Sequence, residues 1–195
     1  MTEPDETLFT AHPATDRSGF IQYNEYLMSE RLVAAGYADA ARRLRASFRN
    51  QPWDDVMLLP FLFLWRQAIE LELKANIRDL ATLRRRDGEA DADLTREAVN
   101  ARLKNPRKVG HNLTQLVKEL NVHIDMLHLE ELPEPTTRVL QLLAAMDDGG
   151  TGFRYAGVLQ VPSADLDFHG LATALDDVYR LLEVIVDAAT YGEGV

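Results

Sequence analysis

The apolar pattern is densest in the middle of the chain. Residues 56–64, Val-Met-Leu-Leu-Pro-Phe-Leu-Phe-Leu, are hydrophobic almost without interruption, which marks a helix buried on most sides rather than one. Directly after it, Arg66, Glu70 and Lys74 are spaced i, i+4, i+8. Each step of four turns about 40° past a full circle, so the three form one polar stripe. The pattern predicts a long central helix, N-capped by Asp54 or Asp55 and reaching Arg86, with Asp87-Gly88-Glu89 ending it. Pro60 falls beyond the first turn of that helix and is expected to kink it or displace its start.

Helical period recurs on both sides. Phe20, Ile21, Tyr23, Tyr26 and Leu27 predict a helix over 20–35 that Gly36 ends, and strong helix formers predict a second over 37–48. A weaker helix is expected over 93–103, stopped before Pro106. Leu113, Leu116, Val117 and Leu120, then Val139, Leu140, Leu142 and Leu143, carry the amphipathic spacing for helices at 112–120 and 134–146. Asp147-Asp148-Gly149-Gly150-Thr151-Gly152 reads as a turn. After Phe153-Arg154-Tyr155, an extended piece through Val158 and Val161 leads to Pro162 and a last helix over 167–190. Residues 1–18 lack apolar period and read as a loose arm, leaving 19–195 as one domain. The fold class expected is all-α, an antiparallel bundle of six to eight helices with one irregular excursion.

Composition narrows the picture. The 195 residues suffice for one domain with its own core, and the absence of Cys excludes disulfides and thiolate metal sites. The acidic start shows no signal pattern, and the apolar run at 56–65 is half of what a bilayer span needs. No membrane association and a cytoplasmic location are the expectations. Net charge is −10, against indiscriminate nucleic-acid binding, but it is uneven. Residues 60–120 carry 12 basic and 9 acidic side chains, whereas residues 121–195 carry 3 and 13. Apolar stretches at 23–35 and 56–65 exceed what one small bundle comfortably hides, so a homodimer is expected.

Candidate chemistry is sparse. His111 stands at or just before a helix start, where its ring could cap, donate or exchange protons. His123 and His128 are i, i+5 and do not share a helical face, so no zinc site is expected. The glycines at 149–152 lack a following Lys-Ser or Lys-Thr and a preceding strand, so no phosphate loop is expected. Asp147/Asp148 and Asp176/Asp177 read as loop and surface acids, and Arg84-Arg85-Arg86 as a solvated helix end. Charged groups on a buried helix are rarely buried unpaired. The stripe Arg66–Glu70–Lys74 is therefore either a structural network or a site.

Three segments bear on that choice: Arg66-Gln67-Ala68-Ile69-Glu70-Leu71-Glu72-Leu73-Lys74, Gly110-His111-Asn112-Leu113-Thr114-Gln115-Leu116, and Phe153-Arg154-Tyr155. Their order resembles that of a group of bacterial HEPN-like (higher eukaryote and prokaryote nucleotide-binding) proteins, over roughly residues 53–187. The resemblance implies a short antiparallel helix bundle, a dimer, and a role in stress or anti-phage defence, including toxin–antitoxin systems, by binding or acting on RNA or nucleotides. Many such proteins resemble metal-independent endoribonucleases without cofactors that carry an Arg-x4–6-His motif. Here none of the 17 arginines has a His at that gap, and the nearest, Arg107 before His111, has three intervening residues. The site this implies takes His111, Arg66 and Glu70 as the catalytic set, His111 as acid or base and Glu70 orienting its neighbours. Lys74, Arg154 and Tyr155 are then placed on a phosphate or ligand, Arg66 helping to hold it. The alternatives are a non-catalytic dimeric subunit, antitoxin-like or scaffolding, whose acidic C-terminal third meets a basic partner, and a small-molecule anion binder.

Overall fold

The structure is a computed structural model, described for residues 29–106, 109–155 and 165–191. Six α-helices pack together: α1 (Glu30–Ser47), α2 (Leu58–Arg86), α3 (Arg96–Lys104), α4 (Leu113–Met126), α5 (Glu134–Asp147) and α6 (Phe168–Tyr191). No strand occurs among the described residues. The chain is all-α, as its periodicity predicts.

The 29-residue α2 is the axis of the molecule, about 43 Å long at 1.5 Å per residue. Helices α1, α3, α4 and α6 all pack against it, which is why it buries residues from Phe61 to Arg84, charged ones among them. Phe61, Leu62, Trp65, Ile69, Leu73, Ile77 and Leu80 line the core from α2. Leu113, Leu116 and Leu120 of α4 and Leu175, Tyr179 and Leu182 of α6 meet them. At one end the Phe168 ring centre lies 4.7 Å from that of Phe48 and 4.7 Å from that of Phe61, the rings tilted against one another.

Helix limits follow local chemistry, with two departures from expectation. Gly36 does not end a helix: α1 runs unbroken from its N-cap Ser29, whose hydroxyl accepts from the Leu32 amide. A mid-helix glycine costs about 1 kcal/mol relative to alanine. Burial of Ala34, Ala38 and Ala41 on this helix outweighs that local preference. Residues 20–28 of the expected first helix, the arm at 1–18 and the extended piece at 158–162 lie outside the described residues. The second departure is the start of α2. Asp54 and Asp55 sit in a 3-10 turn, Pro52–Met57, and Asp54 accepts from the amides of Gln51 and Arg49 instead of capping α2. Those amide bonds hold its carboxyl below the usual range. Pro60 then falls in the first turn of α2, where its missing N–H breaks no helical bond, so it displaces the start and introduces no kink.

Much of the apolar stretch at 56–65 is used within the chain, since Phe61, Leu62 and Trp65 are buried, while Trp53 and Val56 remain exposed. No helix among the described residues is long and apolar enough to cross a membrane.

Candidate functional site: a buried charge network with one exposed histidine

The polar stripe of α2 is inside the bundle. Arg66 and Glu70 are 0 % and 2 % exposed and Lys74 is 7 %. Arg66 makes four hydrogen bonds, three of them to backbone. Its Nε donates to the Asp147 carbonyl at 2.9 Å, and its Nη2 donates to the carbonyls of His111 and of Asp148, the latter at 3.1 Å. Its Nη1 donates to Glu70 Oε2. The other carboxylate oxygen, Oε1, accepts from Lys74 Nζ at 2.7 Å and from His111 Nδ1 at 2.7 Å. Glu70 thus receives three cationic or polar donors. Burial pushes its carboxyl up, but the bonds and charges of Lys74 and then Arg66 outweigh this and hold it below the usual range. Ionised, it can only accept, so the hydrogen in the imidazole contact belongs to Nδ1.

His111 differs from the rest: its side chain is 65 % exposed. The backbone around it is fixed tightly. Gly110 has φ +46°, and a Cβ there would stand 2.5 Å from the Pro106 Cα, so only glycine fits. Asn112 caps α4 by accepting from the Gln115 amide at 2.8 Å. In a neutral ring with Nδ1–H on Glu70, Nε2 is left as the proton acceptor. A buried carboxylate orienting an exposed imidazole is an arrangement suited to proton transfer.

The loop after α5 closes the other side, and here the sequence reading is corrected. Asp147 and Asp148 are not loose loop acids. Asp147 is 5 % exposed and gathers the amides of Thr151, Gly152 and Phe153 on its carboxylate. Asp148 accepts from the amide and hydroxyl of Thr114, both at 2.8 Å, and from the Asn112 side chain. Its charge therefore sits at the positive end of α4. Gly150, at φ +74°, lies on the guanidinium: a Cβ would come within 2.8 Å of the Arg66 Cζ. Such partners escape a sequence search because Arg66 is held mostly by carbonyls, which every residue carries. The one legible signal was Gly-Gly after an acidic pair.

Arg66, Glu70, Lys74 and His111 therefore converge, but Arg154 and Tyr155 do not join their network. Both are exposed, and the Arg154 guanidinium lies 5.5 Å from the Phe63 ring centre. Phe63 precedes Glu70 by seven residues, which puts both on one side of α2 about 10 Å apart. Arg154 flanks the stripe without touching it. Arg107 falls outside the described residues.

The remaining candidates prove structural. Arg84 is buried, not a solvated helix end: it pairs with Glu89 and donates to His123 Nδ1 at 3.1 Å. Burial, then the charges of Arg84 and Arg102, push the His123 pKa down to about 4. Asp176 accepts from Arg42 at 2.7 Å, and that guanidinium stands 5.7 Å from the rings of Trp65 and Tyr179. Burial, then Glu183, raise the Tyr179 pKa to about 12. Among the described residues, no three His, Asp or Glu side chains are grouped to hold a metal ion. Among the described residues, one groove lies under the α4–α5 connection and another between α4 and α5; neither is lined by the stripe or His111.

No family model, curated protein or solved structure gives a significant match to the chain.

Proposed function

We propose that the chain is a HEPN-like protein that binds or acts on RNA or nucleotides, with His111 as its reactive group. The observation that carries this reading is the Glu70–His111 pair, a buried ionised carboxylate bonded to Nδ1 of an exposed ring. It suits a metal-independent ribonuclease. In that reaction Nε2 takes the proton of a ribose 2′-hydroxyl, the freed oxygen bonds to the adjacent phosphorus, and the 5′-oxygen leaves and is protonated. The motif resemblance supports the same substrate class. Arg66 takes a different role from the one the resemblance implies. Its N–H groups are spent on carbonyls and Glu70, so it is a positioning residue that ties the His111 backbone to α2. Lys74 is likewise engaged by Glu70. Exposed Arg154 supplies the cation for phosphate, and exposed Tyr155 a face on which a base can stack. A cytoplasmic homodimer of defence or stress response is the biological form that accompanies this reading.

The test is incubation of the purified protein with total RNA, with and without a chelator. Cleavage indifferent to the chelator, abolished by His111→Ala and weakened by Arg154→Ala, is the expected result. A protein that neither cleaves nor binds RNA or nucleotides would defeat the proposal. The second reading, a non-catalytic interaction subunit, would then stand; the burial of Arg66, Glu70 and Lys74 as a scaffold favours it.

A further inference from the structure

A second surface, distant in character from the charged stripe, points to a protein partner. The connection between α4 and α5 folds over the C-terminal half of α6 and leaves a groove of about 530 Å³ between them. Its floor is apolar, with Ile124, Ile185 and Ala189 buried. Leu127, Leu129 and Leu132 form one wall, and Val184, about half exposed, stands on the other. Along α6 the lining runs from Leu181 to Ala189, about 12 Å or two turns of helix. The groove is thus a trough the length of a short helix rather than a closed cavity.

The wall has a defined shape before anything binds. His128 takes φ +54°, a left-handed position usually given to glycine. The amides of Leu127 and Leu129 return to the carbonyls of His123 and Ile124, closing α4 at that residue. This fixes the direction of the strap that follows. Within it, Leu129 and Leu132 are half-buried, and Glu130 and Glu131 are exposed on the groove lining.

Charge decides the occupant. Glu130 and Glu131 line the groove, Glu134 opens α5 just beyond it, and exposed Asp187 sits beside Ala188 on α6. Among the described residues, no Lys or Arg lines the trough. On α6, Arg180 lies just before the trough and is paired with Asp176. An apolar floor with an acidic rim, unpaired among the described residues, is complementary to a helix that carries an apolar stripe flanked by Lys and Arg. We infer that this groove docks a basic amphipathic helix of a partner protein. The inference is independent of any chemistry at His111.

The probe is a pair of synthetic amphipathic helices of about 14 residues with the same leucine stripe, one flanked by Lys and one by Glu. Each is titrated into the full chain while methyl resonances are followed by NMR. The basic peptide is expected to shift Leu132, Val184, Ile185 and Ala188, and to bind more weakly as salt rises. Glu130→Lys combined with Glu131→Lys, both at exposed positions, should weaken it about five- to tenfold. Val184→Asp should do likewise by putting a charge on the apolar wall. Equal binding of both peptides, or shifts confined to another surface, would overturn the inference. So would nuclear Overhauser contacts from the groove methyls to residues 1–28, which would make the chain itself the occupant. Self-association abolished by Val184→Asp would overturn it in favour of a second copy.

Discussion

Glu70 Oε1 lies 2.7 Å from His111 Nδ1, joining a carboxylate that is 2 % exposed to an imidazole that is 65 % exposed. The pair spans the boundary between core and solvent. On the inner side Arg66 and Lys74 compensate the carboxylate; on the outer side the ring reaches water. This division assigns opposite consequences to substitutions only one hydrogen bond apart.

Replacing Glu70 by Gln is expected to be severe. Arg66 and Lys74 would keep their charges in a buried setting without the carboxylate that offsets them. Breaking a buried pair costs about 3 to 5 kcal/mol. For a chain of this size that corresponds to a loss of roughly 6 to 20 °C in melting temperature. Thermal melts followed by circular dichroism measure it, and a variant melting with the parent would contradict the buried network.

His111→Ala should do the reverse. Arg66 uses the backbone carbonyl of residue 111, which survives the substitution. The loss is one bond to an exposed side chain, about 1 kcal/mol. The variant should therefore melt within a few degrees of the parent while losing RNA cleavage. Retained cleavage at parental rate would remove His111 from the reaction.

Gly150→Ala tests the loop. The position has φ +74°, and the added methyl would meet the Arg66 guanidinium, which its four bonds hold in place. Left-handed strain and overpacking together suggest a loss of about 2 to 4 kcal/mol. Gly149→Ala, where a Cβ would meet nothing within 4 Å, is the control and should be close to neutral. Chemical denaturation of the two variants side by side distinguishes a specific seat for Gly150 from a general need for flexibility.

Acid should destabilise the fold through His123. Its pKa is about 4 in the fold against 6.5 for an unperturbed histidine, so the unfolded chain binds the extra proton first. The stability that the neutral, buried ring contributes is complete above about pH 6.5. It is lost progressively as pH falls toward 4, by up to about 3 kcal/mol. Glu70, whose carboxyl is depressed, adds a loss of the same sign at lower pH. His123→Gln keeps an acceptor for Arg84 and should flatten the upper part of this dependence. Denaturation midpoints between pH 4 and 8 for parent and variant supply the comparison; parallel curves would show that His123 is not the group responsible.

The sequence by itself determined the helical class, and the reason is local. Periods of three and four in Leu113–Leu120 or Leu171–Ile185 need no tertiary information, because amphipathic spacing is a property of a single helix. It also placed Arg66, Glu70 and Lys74 on one stripe, since helical geometry fixes that relation. Gly36 was misleading because its local preference is small beside the burial of Ala34, Ala38 and Ala41. What the stripe does was decided only when distant segments closed on it. Asp147, Asp148, Gly150 and the carbonyl of His111 lie 45 or more residues from Arg66 in sequence, and most of them act through backbone atoms common to every residue. The exposure of His111 against the burial of Arg66 was equally invisible, because both are polar residues and residue type alone does not say which of them meets solvent. Solvent access belongs to the packed bundle, and only the bundle could separate the residue that meets water from those that hold it in place.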